Sequence, residues 1–213
     1  MGSSSPATKP YFGYGSNLWL DQMQRRCPSS PFTGLGRLRG YQWIINSRGY
    51  ANIVQTRSDD DEVWGLIYDL PPGDEARLDV NEGVPYAYEK RMIEVEFWEK
   101  GTLPAASSDT LPPPARSDEM LVYIDFKRNS GEGNKPKDEY IHRMNEGIRD
   151  ALKEGVPKTY IDSVLRPYIP AEELDEATQE LAKKQAVSFV DQSGVFVRTG
   201  SGAGGVVRSA EET

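Results

Sequence analysis

From Lys9 to Phe126 one strand-like segment follows another, with no regular helical crossovers between them. Lys9 to Tyr14, Leu38 to Asn46, Ala51 to Thr56, Glu62 to Leu70, Met92 to Trp98 and Met120 to Phe126 all carry strand patterns. Val63-Trp64-Gly65-Leu66-Ile67-Tyr68 is apolar on both faces, as in a strand covered on both sides. Ile93, Val95 and Phe97 alternate with Glu94 and Glu96, as in a strand with one wet face. The longer helical patterns come only after these strands. That order predicts an α+β fold with a mixed or antiparallel sheet, against a doubly wound parallel one. Strands of this number and size can close into a small barrel, but their pattern does not show closure.

The helical segments are fewer. Leu18 to Arg26 reads as a helix, and Asp74 caps a short one that runs through Val80 and stops at Gly83. Tyr140, Ile141, Met144, Ile148, Ala151 and Leu152 recur at helical spacing, ended by Gly155 and Pro157. A further helix is expected from Ala171 to Gln185. Residues 1–10 read as a flexible start and 11–190 as one domain. Within it, Gly101 to Asp118 is a Pro-, Ser- and Ala-rich insertion, and residues 191–213 form a Gly-rich tail.

Composition removes several function classes. The chain has 213 residues, a formal charge of −8, one cysteine (Cys27) and one histidine (His142). Zinc sites built from Cys and His are therefore excluded, and a Ser-His-Asp triad has only His142 to use. The acidic balance repels phosphate backbones, so no nucleic-acid partner is expected. No apolar run approaches the roughly 20 residues of a membrane span, and the first ten residues lack a signal-peptide core. A lone cysteine fits a reducing compartment, so a cytoplasmic address is expected. Cys27, before Pro28, has no thiolate-stabilising pattern and reads as a small buried or half-exposed thiol. Asp59-Asp60-Asp61-Glu62 lacks the ligand alternation and central glycine of a calcium loop and reads as a solvated hairpin turn.

Three features carry candidate chemistry: the turn Tyr11-Phe12-Gly13-Tyr14-Gly15-Ser16-Asn17, Glu82 in Asn81-Glu82-Gly83-Val84-Pro85, and Tyr140 at its helix start. Tyr14-Gly15-Ser16-Asn17 after a short strand resembles the signature loop of the γ-glutamylcyclotransferases. Glu62-Val63-Trp64-Gly65, Leu78-Asp79, Glu82-Gly83-Val84 and Tyr88 follow in that family's order. The resemblance covers Tyr11 to Phe126 well and Pro136 to Ala151 more loosely. It implies a small β-barrel flanked by helices, with no metal or organic cofactor and a small-molecule γ-glutamyl substrate. Glu82 matches the catalytic acid/base. Tyr11, Phe12, Gly13, Tyr14, Gly15 and Ser16 match the loop that holds the γ-glutamyl group, and Tyr140 matches a substrate-contacting tyrosine. A homodimer stays open.

In that chemistry the substrate's own α-amine attacks its γ-carbonyl, closing 5-oxoproline and expelling an amine. Orientation of the flexible chain lowers the barrier by several kcal/mol, up to roughly 7–11 in ideal cases. One carboxylate between the two nitrogens takes the proton from the ammonium and returns it to the leaving amine, best with a pKa raised by partial burial. Backbone N–H groups of a glycine loop suit the substrate carboxylate or a developing oxyanion. Taken singly, Glu82 reads as a solvated loop carboxylate and the tyrosines as core residues; the ordered set changes that reading. The alternatives are trimming of a glutathione conjugate or biosynthetic intermediate, and a non-catalytic γ-glutamyl-binding module.

Overall fold

The computed structural model describes residues 7–103, 111–171, 175–193, 196–199 and 206–209. Five strands form a closed barrel: β1 (Lys9–Gly13), β5 (Glu62–Leu70), β2 (Phe32–Arg39), β6 (Glu89–Glu99) and β7 (Arg116–Ile124), in that order. All neighbours are antiparallel except the closing pair, where β1 lies parallel to β7 with Tyr11 opposite Leu121. β3 (Tyr41–Ile45) and β4 (Ala51–Gln55) form a separate hairpin. The α+β class and the mixed barrel expected from the sequence are both present. Among the described residues no helix is long and apolar enough to cross a membrane.

Side chains alternate across each strand, so the two faces of β1 have different roles. Phe12 fills the barrel interior, fully buried. Its ring lies over Gly36 and Gly65, which oppose each other across β2 and β5. A Cβ at Gly65 would stand 2.6 Å from both Gly13 O and Phe12 Cε2, and one at Gly36 would stand 2.7 Å from Ile67 Cδ1. The glycine pair is thus what admits a phenylalanine to so small a barrel. Tyr11 projects from the opposite face of β1, against Tyr68 and Tyr123 at ring separations of 6.1 and 5.6 Å.

α1 (Leu20–Arg26), α2 (Pro72–Asn81), α3 (Asp138–Glu154), α4 (Lys158–Tyr160, running into a π turn at Ile161–Leu165) and α5 (Glu176–Val187) flank the barrel. In α3, Tyr140, Met144, Ile148 and Ala151 make the buried stripe that the periodicity predicts. Gly155, with φ of 109°, ends it.

Several expected boundaries differ. Leu38 to Asn46 is not one strand: Gly40, at φ of 72°, divides the end of β2 from β3. Most of β2 carries no strand pattern in the sequence, because Thr33-Gly34-Leu35-Gly36 looks like loop. Asp74 does not cap α2, whose first turn begins at Pro72; its carboxylate instead accepts from Ser29 N and Ser30 Oγ. The acidic run Asp59 to Glu62 is no hairpin turn, because it joins β4 to β5 and these do not pair. Of the segment expected as an insertion, residues 104–110 lie outside the described residues and 116–118 belong to β7. In the Gly-rich tail, β8 (Phe196–Thr199) pairs with β9 (Val206–Ser209), and 200–205 lie outside the described residues.

The crowding at Gly65 has a measurable consequence. Gly65→Ala is expected to cost about 1–3 kcal/mol in urea denaturation, the scale of overpacking a core. Gly73→Ala, where a Cβ meets nothing within 4 Å, is expected to be neutral or slightly stabilising.

Candidate active site

β1 delivers the chain into the turn Tyr14-Gly15, followed by a single 3₁₀ turn at Ser16–Leu18. This loop is pinned from several sides. Tyr14 Oη donates to Tyr123 O at 2.6 Å, and Trp43 Nε1 donates to Tyr14 O at 3.1 Å. Tyr140 Oη accepts from the backbone N–H groups of Ser16 and Ala51, each at 3.2 Å, and so joins the loop to β4. Both acceptor positions of that phenol are then filled, and among the described residues its own proton is given to no protein group. Gly15 is required here by space: a Cβ would lie 2.9 Å from Tyr140 Oη and 3.2 Å from Ala51 Cβ.

Asn17 ties the loop to Glu82. Its Oδ1 accepts from Gln22 Nε2 at 2.8 Å and Arg26 Nη1 at 3.2 Å. Its Nδ2 donates to Tyr11 Oη at 2.7 Å and to Glu82 Oε1 at 3.0 Å. Two donors on one side fix which end of the amide faces the carboxylate. Glu82 itself is the C-cap of α2, its N–H bonded to Leu78 O at 2.8 Å. Desolvation by the surrounding protein raises the Glu82 pKa above the ordinary carboxylate range. The charges of Arg26, Arg48 and Arg143 and the Asn17 hydrogen bond oppose that rise without cancelling it.

A narrow cleft gathers these groups, with about 50 Å³ open to water. Of the residues singled out in the sequence, Tyr11, Tyr14, Gly15, Ser16, Glu82 and Tyr140 line it. Phe12 and Gly13 do not, because Phe12 occupies the barrel interior and Gly13 is paired with Leu66 in the barrel wall. Tyr88 is also in the lining and donates to Ala51 O at 2.7 Å. His142 lies outside the lining, edge-on to Trp19. Ser16 Oγ accepts from Gln22 Nε2 and Arg143 Nη1, and among the described residues it donates to no base. Cys27 is buried, and burial pushes its thiol up to about 12. Among the described residues no group of three or more His, Cys, Asp or Glu side chains is placed to hold a metal ion.

The sequence reading missed the cationic half of the cleft. Arg26, Arg48 and Arg143 all line it and are buried. Arg143 pairs with Glu139 at 2.8 Å, and Arg48 pairs with Asp191 at 2.9 Å and Asp125 at 3.6 Å. Arg26 donates to Ala186 O and Gln185 O at 2.9 and 2.7 Å, and burial lowers its pKa to about 10. One signal was available for Arg143: it stands one turn after Tyr140 on the buried face of α3.

The site sets a carboxylate of raised pKa beside a glycine loop in a polar cleft, the pattern of a candidate active site. Residues 11–127, more than half of the chain, match the model of the family described as "Gamma-glutamyl cyclotransferase, AIG2-like", and the chain belongs to this family of enzymes. Among curated proteins it is 27% identical to the gamma-glutamylcyclotransferase of Bos taurus over 176 residues, covering 70% of this chain and 90% of that one. To the gamma-glutamylcyclotransferase of Homo sapiens it is 27% identical over 172 residues, with the same shares covered. A solved structure named "Gamma-glutamyl cyclotransferase" superposes with a TM-score of 0.60 at 23% identity, covering 83% of this chain and 99% of that chain, which supports the fold.

Removing the phenol that joins the loop to β4 leaves two buried N–H groups without a partner. Tyr140→Phe is therefore expected to lose about 2 kcal/mol in urea denaturation. Such a loss, measured by equilibrium unfolding, identifies Tyr140 as a support of the loop in addition to any contact with substrate.

Proposed function

We propose that this protein closes the γ-glutamyl group of a γ-glutamyl amide into 5-oxoproline and releases an amino acid, peptide or amine, with Glu82 as the acid/base. The observation that carries this reading is the carboxylate of Glu82, of raised pKa, lining the same cleft as Gly15, Ser16 and Tyr140. The substrate's α-nitrogen forms a bond to its γ-carbon, and the bond from that carbon to the leaving nitrogen breaks. Going from ammonium to lactam N–H, the α-nitrogen gives up two protons: one is released to solvent as the free amine forms, and the other passes through Glu82 to the leaving nitrogen, which departs as an amine. No electrons are exchanged, and no covalent enzyme intermediate is needed. The Ser16 hydroxyl, which accepts from Gln22 and Arg143 and donates to no base among the described residues, agrees with such a route.

The closed end of the cleft suits the charged head of the substrate. Arg26 and Arg143 supply positive potential for an α-carboxylate. The N–H of Gly15, which makes no hydrogen bond to the protein among the described residues, and the Tyr140 hydroxyl are donors available to an oxyanion. A free, buried cysteine supports assignment to a reducing compartment such as the cytoplasm.

Glu82→Gln keeps the acceptor for Asn17 but cannot carry the proton. 5-Oxoproline release from a γ-glutamyl dipeptide should fall at least roughly 100-fold in kcat, with substrate affinity within a few-fold. Full activity in this variant removes Glu82 from the mechanism. The same variant should melt at or above the temperature of the unaltered protein at neutral pH. The sign follows from linkage. Because the folded-state pKa is raised, the folded protein holds the proton longer, and stability falls as pH rises from the unfolded to the folded pKa. Gln removes that penalty.

The pH profile gives an independent check. The reaction needs Glu82 ionised at the start, so kcat/KM should decline as pH falls through its pKa. The midpoint of that acid limb should lie above about 4.3, the ordinary glutamate value. A limb at or below that value contradicts the burial argument.

A further inference from the structure

The segment that follows α5 returns across the cleft. Gln185 and Val190 exchange two hydrogen bonds, at 3.0 and 2.7 Å, that turn the chain at residue 188. Phe189 N then donates to Asn81 Oδ1 at 3.1 Å, beside Glu82. Farther on, Asp191 pairs with Arg48, and Gln192 N donates to Tyr50 Oη at 3.4 Å. The segment thus spans from the end of α2 to the β3–β4 hairpin, and its first tail residues belong to the packed body. The Phe189 ring meets Tyr50 edge-on at 5.1 Å and lies under the guanidinium of Arg143 at 5.5 Å.

Exposure shows where the cleft opens. Of its lining residues only Gly15, Asn81, Glu82 and Phe189 keep partial exposure; the rest are buried. Phe189 is the bulkiest side chain at this mouth. The constant, charged part of a γ-glutamyl amide needs the polar closed end, so the variable leaving amine must project between Glu82 and Phe189. The narrowness of the cleft makes that passage a constraint on size.

We propose that Phe189 is a specificity-determining wall of the leaving-group side, and that it restricts the substrates to γ-glutamyl amides of small amines or single amino acids. This rests on the cyclotransferase reading given above. Ser188 to Ser193 acts as the strap that holds the ring in place, through Asn81, Arg48 and Tyr50.

The test compares kcat/KM for 5-oxoproline release from γ-glutamyl-alanine and from an S-substituted glutathione. Using the ratio of the two cancels any difference in the active fraction of a variant. Phe189→Ala should shift the ratio toward the bulky substrate by roughly 10-fold or more, the scale of a few methylene contacts in a pocket. Phe189→Leu, which keeps more of the packing, should shift it in the same direction by a smaller factor, and Phe189→Trp should shift it the other way. Ratios within 2-fold of the unaltered protein in all three variants overturn the wall. If the unaltered protein releases 5-oxoproline from neither substrate, the parent reading fails and this proposal falls with it; release with unmoved ratios sinks the wall alone.

Discussion

The carboxamide of Asn17 is the point on which the site depends. It has four hydrogen-bonding positions and uses all of them: two acceptances from α1, through Gln22 and Arg26, and two donations, to Tyr11 and Glu82. One side chain therefore relates the barrel strand β1, the helix α1 and the C-terminal end of α2. Its backbone is held too, since Tyr68 Oη donates to Asn17 O at 2.8 Å from β5. An amide so bound cannot rotate without stranding buried donors on Gln22 and Arg26, and the desolvation cost of those groups fixes the direction of the N–H that meets Glu82.

Barrel closure provides the rigid base for this arrangement. The parallel contact of β1 with β7 brings Tyr123 beside Tyr11, and the period of two along β1 then separates tasks. Phe12 packs the inside, where the Gly36–Gly65 pair makes room, while Tyr11 faces the cleft. A shift of β1 by one residue would exchange these faces, placing a phenol in an apolar interior and removing the acceptor for Asn17. Core packing and site geometry are therefore set by the same register.

Much of this was legible in the sequence, and the failures have physical causes. β1, β4 and β5 are short runs bounded by turn residues, and α3 has a clean apolar stripe, so local pattern suffices for them. β2 was hidden because its glycines, needed where strands crowd, look locally like a turn, and Gly40 was concealed inside what reads as one strand. In the site, the Tyr14 to Asn17 turn and Glu82 stood out through their order along the chain. Phe12 and Gly13 came with that segment, although the strand alternation turns Phe12 inward. Arg26, Arg48 and Phe189 had no local signal, because each becomes a cleft residue only through partners far along the chain: Gln185 for Arg26, Asp191 for Arg48 and Asn81 for Phe189.

The distribution of charge explains how a glutamate can be surrounded by arginines and still have a raised pKa. A direct ion pair with any of the three guanidinium groups would favour the ionised form of Glu82. Each arginine is instead bound elsewhere: Arg143 by Glu139, Arg48 by Asp125 and Asp191, and Arg26 by carbonyl oxygens of Asn17, Gln185 and Ala186. Among the described residues Glu82 makes no salt bridge, and its contact with this cationic set passes through a neutral amide. Positive potential persists in the cleft, while desolvation prevails at the carboxylate. Asp191 takes part in this balance although it lies beyond α5, since its carboxylate pairs with Arg48 at 2.9 Å.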